Sequence, residues 1–199
     1  RALSAPTRSP LLPSRRQAQV EWSADLAFAR ADRRAMQVSA DELRIFEHYC
    51  TMLYTSTSRE ERATAETALI PLSDDPQNME RCMSVLTSST LPYAQIVATN
   101  ALKKLLSTHH NHLTPSQRME ARNFALNVLA NQGPSSEHYV SSSLIQLLAC
   151  VTKLGWMDLD DPQQVINEAS RFLQATPSHL VLGLQMLEQV MATGLYADG

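Results

Sequence analysis

The densest chemical signal in the 199-residue sequence is His109-His110-Asn111-His112. Three imidazoles in four residues suggest zinc, which takes four ligands, each oriented by hydrogen bonds behind it. Adjacent histidines converge poorly on one ion, and no acid or thiol in the run completes a set. The tetrad therefore reads as a solvated loop between two helices. His48, His138 and His179 are scattered and read as surface or cap residues. Ser141-Ser142-Ser143 offers hydroxyls, but the sequence places no base to activate one. The acids Asp74-Asp75 and Asp158-Leu159-Asp160-Asp161 each stand just before a proline that can start a helix, where negative charge complements the helix dipole. With no nucleophile elbow, HExxH or zinc framework, the expectation is a protein that is not an enzyme and carries no metal or cofactor. A helical-bundle enzyme or metal protein is the least favoured class.

The elements behind these residues are set by what the chain lacks. It has five glycines, and the first is Gly133. A stretch of that length cannot contain GxGxxG or a P-loop, because both need backbone that a Cβ would obstruct. It also suits tight β-hairpins poorly. Helices joined by short loops are the remaining economical solution. Cys50, Cys82 and Cys150 are odd in number, widely spaced and set among apolar neighbours, as expected for reduced core thiols of a nuclear or cytosolic protein. A formal net charge of −3 does not point to nucleic acid. No apolar run approaches a membrane span of about 20 residues. Residues 1–38 differ: seven Arg against three acids, with Ser, Pro and Ala, as in a disordered extension; a transit peptide shares this composition. A loose helix over 22–36 is possible there.

From Ser39 onward the grammar is regular. Ser39–Glu42 reads as a capping box, followed by Leu43, Phe46, Cys50 and Leu53 on one face. Thr57–Glu60 reads as a second box, before Ala65, Ala68, Leu69 and Leu72. Asp75-Pro76 caps a helix bearing Met79, Cys82, Met83 and Leu86. Pro92 opens another with Ala94, Val97, Ala98, Ala101, Leu102 and Leu105. Thr114-Pro115-Ser116-Gln117 combines cap, first-turn proline and box glutamine before Ala121, Phe124, Ala125, Val128 and Leu129. A helix from about Glu137 carries Val140, Leu144, Leu147, Leu148 and Val151. Asp161-Pro162 and Thr176-Pro177 open the last two, the first with Val165, Ala169, Phe172 and Leu173, the second with Leu180, Leu184, Leu187 and Met191. Gly133, Gly155 and Gly194 stand where a left-handed C′ residue ends a helix, with Trp156 placed for a Schellman contact. Gly183 falls inside a helix and is expected to permit close approach.

The result is eight helices in four hairpins, about 40–73, 76–108, 115–155 and 162–193. Their starts are separated by 36, 39 and 47 residues, close to the period of HEAT and armadillo repeats. The expected fold is all-α, an α-solenoid of about four HEAT-type hairpins over 39–199, with a plain bundle as competitor. In a solenoid the second (B) helix of each hairpin lines the surface where partners bind. Polar stripes recur there: Gln95, Thr99 and Lys103 with Lys104 beside them; Ser142, Gln146, Ala149 and Lys153; and Gln185, Glu188 and Gln189.

Several stretches resemble the N-terminal repeats of importin-β-type (karyopherin-β) nuclear transport receptors: Ala63–Leu69, Tyr93–Leu105 and Arg122–Leu129. Ser143-Leu-Ile-Gln-Leu-Leu-Ala-Cys-Val-Thr-Lys-Leu-Gly-Trp156, continued by Arg171-Phe-Leu-Gln174, is similar to exportin-7 and its Ran-binding exportin relatives. The resemblance covers roughly 40–193 and has no counterpart for residues 1–38. It implies a HEAT superhelix whose N-terminal B helices grip the GTP-bound form of the GTPase Ran. It also implies protein cargo and nucleoporins as partners of the whole receptor, shuttling between nucleus and cytoplasm. Residues carried over are Gln95, Lys103 and Lys104 on the second hairpin, Gln146 and Lys153 on the third, and Gln185 and Glu188 on the fourth. Four repeats are fewer than such receptors have, so the chain is expected to be the N-terminal, truncated portion of a larger exportin. The alternative is a HEAT scaffold indifferent to nucleotide.

Overall fold

A computed structural model of the protein describes residues 38–156 and 163–192. The expected extension over 1–38, apart from Val38, lies outside the described residues. So do the Asp158–Asp161 acids with the Asp161-Pro162 cap, and the Gly194 stop.

Among the described residues there are eight α-helices and no strand. They are α1 (Ala40–Thr55), α2 (Arg59–Leu69), α3 (Met79–Ser88), α4 (Pro92–His109), α5 (Pro115–Gln132), α6 (His138–Leu154), α7 (Gln163–Gln174) and α8 (Pro177–Ala192). Consecutive helices pack pairwise as four hairpins, α1/α2, α3/α4, α5/α6 and α7/α8. The second helices also pack on one another, α4 on α6 and α6 on α8. Hydrogen bonds between α4 and α6 join Asn100 to Ser143, Lys103 to Gln146 and Ser107 to Cys150, each pair 43 residues apart. A constant offset means the two helices run parallel in register. Up-and-down bundles place sequence neighbours antiparallel, so this stacking is that of an all-α HEAT-type solenoid.

Local chemistry explains most boundaries. Ser39 and Thr114 make complete capping boxes with Glu42 and Gln117, as the sequence indicates. The α2 cap differs by one residue. The sequence Thr57-Ser58-Arg59-Glu60-Glu61 contains two overlapping box registers, and the fold uses Ser58 with Glu61. Ser58 Oγ accepts from the Glu61 N–H, while Ser56 Oγ relays between the Ser58 N–H (3.0 Å) and the Glu61 carboxylate (2.5 Å). Asp75 caps a 3₁₀ turn over Pro76–Asn78 that leads into α3, so the α-helix proper starts three residues later than the proline.

The glycines depart from expectation. Gly133 has φ −50° and ψ −44°, and Gly155 has φ −97° and ψ 15°, so neither is left-handed. Gly133 serves packing instead: a Cβ there would stand 3.0 Å from Leu182 Cδ1 and 3.2 Å from Leu129 Cδ1. Trp156 makes its contact across the last two hairpins, against Val165 and Val190, rather than in a Schellman motif. Gly183 does permit close approach, since its Cβ would meet Phe172 Cβ at 3.0 Å.

The core runs without a break from Cys50 and Leu72 through α3–α6 to Phe172, Leu182 and Met186. Helix α2 buries only Ala65, and Ala68, expected on its inner stripe, is exposed. Cys50 and Cys82 are core thiols, whereas Cys150 is half-buried and lies outside the core.

One buried group joins the third and fourth hairpins. Arg122 of α5, 1% exposed, makes a two-pronged ion pair with Glu168 of α7 (3.1 and 2.5 Å) and donates to Thr152 Oγ1 of α6 at 3.3 Å. His179 adds a second tie: its Nε2 lies 2.9 Å from the Ala130 carbonyl oxygen of α5.

Arg122→Met strands the Glu168 carboxylate and is expected to cost about 3–5 kcal/mol, while Arg122→Met with Glu168→Met recovers most of that loss. Urea unfolding of the two variants measures the difference. Gly183→Ala improves helix propensity by about 1 kcal/mol. The facing Cβ of Phe172 cannot swing away, however, so overpacking of about 1–3 kcal/mol dominates and the midpoint falls.

Candidate partner-binding surface

The exposed side of the B-helix layer carries a polar seam. Helices α4 and α6 meet along it through Asn100–Ser143 (3.4 Å), Lys103–Gln146 (3.3 Å) and Ser107–Cys150 (3.4 Å). On each helix the seam follows i, i+3, i+7. The sequence suggested i, i+4, i+8, and the difference has a geometric origin. Each residue turns the helix by about 100°, so steps of four drift 40° and reach 80° over two steps. Steps of three and seven stay within about 60° of the start. The stripe suggested on α4 therefore wraps into the core, where Thr99 is fully buried with its hydroxyl on the Gln95 carbonyl (2.7 Å); on α6 the suggested Ala149 is buried as well. Asn100, Ser107 and Ser143 belong to the seam and were not singled out by that pattern. Polar pairs at a fixed 43-residue spacing are the signal that would have found them.

The other candidates fall in distinct settings. Gln95 is half-buried, and its Nε2 donates to the Ser89 carbonyl at 3.0 Å, tying down the start of α4. Ser89 in turn donates to Glu47 of α1 at 2.5 Å. Lys104 points away from the seam, toward the α2–α3 connection, where it donates to Asp74 (2.9 Å) and Ser73 (3.2 Å). The Lys104 hydrogen bond holds the Asp74 carboxyl below its usual range. A carboxyl pKa lowered by folding contributes stability above its unfolded value and loses it as the pH falls through the folded one. Acidification therefore releases this brace. Lys153 and Glu188 are exposed on α6 and α8. Gln185 is half-buried on α8, its Nε2 3.2 Å from His138 Nε2 at the start of α6, which extends the B-helix ties to the fourth hairpin.

Among the described residues no three His, Cys, Asp or Glu side chains are grouped to hold a metal ion. Helix α4 ends at His109, and His110–His112 forms a 3₁₀ turn. No described helix is long and apolar enough to cross a membrane.

Residues 65–131, from α2 to α5, match the Importin-beta N-terminal domain family. The chain is 36% identical to human Ran-binding protein 17 over 159 residues, 78% of this chain. It is 35% identical to Exportin-7-B of Xenopus laevis over 148 residues, 72% of this chain. Ran-binding protein 16 of Drosophila melanogaster is 31% identical over 154 residues, 75% of this chain. The chain belongs to the importin-β superfamily. Its likeness is to the exportin-7 group, and it spans about 14% of the length of these relatives. No solved structure matches it. Within this importin-β superfamily chain, the family match contains α4 with Lys103 and Lys104, while the α6 half of the seam lies beyond it.

The seam also separates the three thiols of this superfamily member. Burial pushes Cys50 and Cys82 up to about 12, with the Glu47 charge adding to the effect at Cys50. At pH 8 only about one in ten thousand such thiols is the reactive thiolate. In native protein at that pH, iodoacetamide is expected to alkylate Cys150 first, with Cys50 and Cys82 reacting only after unfolding. Peptide mass spectrometry over a time course reads the order, and equal rates at all three sites would contradict it.

Proposed function

We propose that this chain supplies the N-terminal HEAT repeats of an exportin-type nuclear transport receptor, and that its B helices form part of the site for the GTP-bound form of Ran. The likeness to two relatives named as Ran-binding proteins carries the reading. The polar, parallel B-helix layer supplies a surface able to serve it. Mechanistically, Ran-GTP and protein cargo would bind one flexible superhelix with favourable coupling, so that hydrolysis in the cytoplasm releases both. The nucleotide dependence would come from switch segments that hold their shape only with the γ-phosphate present. The whole receptor would pass nucleoporins and move between nucleus and cytoplasm. The chain's own role is binding, without a catalytic step.

Exposed Lys153 and Glu188, with half-buried Lys103 on the seam, would be the contacts, whereas exposed Lys104 is tied to Asp74. Gln146 would act with Lys103 as a pair. Gln95, Lys104 and Gln185 would hold the surface in shape from their hydrogen bonds to Ser89, Asp74 and His138. In the full-length receptor, pull-down with Ran-GTP is expected to exceed that with Ran-GDP. Changing Lys103 and Lys153 to Glu should weaken Ran-GTP binding about tenfold or more, because like charges across an interface cost several kcal/mol. Equal capture of both nucleotide forms, unchanged by these substitutions, would instead identify a HEAT scaffold with another partner.

A further inference from the structure

A cavity of about 90 Å³ opens between the first two hairpins, on the α1/α2 end of the molecule and away from the seam. Phe46 of α1, Ala68 and Leu69 of α2, Pro71 and Leu72 of the turn that follows, and Asn78 and Arg81 line it. One buried water needs roughly 10–15 Å³ on the same measure, so the space admits a side chain of several heavy atoms. Its walls are mostly apolar, with Asn78 and Arg81 the polar members. The Pro71 carbonyl, which could have made the floor polar, already accepts from Asn78 Nδ2 at 2.9 Å. Ala68 and Pro71 are exposed, which leaves the mouth open, and Ile70 beside them in the chain is 49% exposed.

The rim carries a cation with capacity to spare. Arg81 is half-exposed, and its Nη2 stands 4.0 Å from Glu42 Oε1, beyond hydrogen-bond reach. The other oxygen of that carboxylate is occupied by the Ser39 N–H (3.0 Å) and hydroxyl (2.9 Å) of the α1 capping box. Glu42 therefore cannot swing fully to Arg81 without undoing the cap. A guanidinium has five donors and matches a carboxylate in a two-pronged geometry, so a second carboxylate can be seated there.

We propose that this cavity is a docking site for an acidic peptide segment of a partner protein, taking a branched apolar side chain into the pocket while an adjacent carboxylate engages Arg81. Because Ala68, Ile70 and Pro71 are exposed at the mouth, chain can extend on either side of the seated residue, which favours a peptide over a free acid. The site is independent of the Ran-binding reading, since it uses none of the candidate contact residues on α4, α6 and α8.

The test uses the 199-residue chain with methyl-labelled Ala and Leu, titrated with acetyl-Gly-Leu-Asp-Gly-amide and with its Asn counterpart. The Asp peptide is expected to shift the Ala68, Leu69 and Leu72 methyl signals saturably, with a Kd of about 1 mM or below. The Asn peptide should bind about fivefold more weakly, the difference between a charge-assisted and a neutral hydrogen bond. Arg81→Gln should abolish that difference, and Ala68→Trp, which caps an exposed mouth, should abolish binding of both peptides. Arg81 and Ala68 are exposed, so both variants should keep the parent melting curve; a changed curve is met by repeating the titration with Arg81→Lys, which keeps the charge and should bind. Absence of saturable shifts up to about 10 mM, or equal binding of the two peptides, overturns the proposal. So does 4-methylpentanoate binding as tightly as the Asp peptide, which would make the pocket a small-acid site.

Discussion

A helical hairpin with two apolar faces has no stable existence alone, and this constraint organises the molecule. In α6, Val140, Leu144, Ile145, Leu147, Leu148, Ala149 and Val151 are all buried, well beyond the single stripe of a surface helix. Such a helix needs its hairpin partner α5 on one side, α4 on another and α8 on a third. Ala94, Ala98 and Ala101 on α4 let the backbones approach, and Gly133 and Gly183 do the same for α8. Once those neighbours are in place, only a narrow ridge of α6 remains outside. The candidate surface is thus the residue of packing: beyond its first turn, where His138 and Tyr139 are exposed, α6 leaves only Gln146 and Lys153 exposed.

The junction between the third and fourth hairpins solves a different problem. Apolar stacking alone is tolerant of slippage, since one leucine fits another's hole nearly as well. Arg122 is not tolerant. Its fork needs Glu168 in two places and Thr152 in a third, and every buried side-chain polar atom among the described residues has a partner. Breaking such a closed network is costly, while replacing it wholesale with apolar groups is often neutral. Its worth to the fold is therefore register rather than net stability. It fixes where α7 lies along α5 and α6, and through α7 it fixes where α8 presents Gln185 and Glu188.

What could be read from the sequence follows from range. Capping boxes at Ser39 and Thr114 are decided within four residues, and both formed as read. Hairpin order followed from the apolar stripes and the prolines, except that on α8 the stripe read as Leu180, Leu184, Leu187 and Met191 is largely exposed and Leu182, Met186 and Val190 are buried instead, because the helix is apolar on more than one side. The glycines misled because a local rule, the left-handed helix end, competed with a tertiary need: Gly133 is glycine for the sake of Leu182, 49 positions away in the chain. Arg122 and Glu168 looked like ordinary charges on amphipathic helices, and only their meeting across two hairpins makes them core. The candidate surface was half legible. Which residues of α4 and α6 share the exposed seam depended on how the two helices lie against each other, and the four-residue stripe on α4 drifted off that face to the buried Thr99.

The adjacent lysines of α4 show what the structure adds to a charge pattern. In sequence, Lys103 and Lys104 are interchangeable. In the fold they diverge by about 100° around the helix axis. Lys104 meets a carboxylate, so its charge is already answered by Asp74, and an incoming acid would have to compete with that pair. Lys103 meets the neutral Gln146 amide, which orients the ammonium across the seam without cancelling its charge. A carboxylate presented by a partner would therefore find at Lys103 a cation that is positioned but uncompensated, and at Lys104 one that is positioned but already paired. The same amide can donate from its nitrogen while its oxygen holds the lysine, so Lys103 and Gln146 together offer a charged and a neutral donor side by side. That pairing spans two repeats, and its geometry survives only while α4 and α6 keep their register.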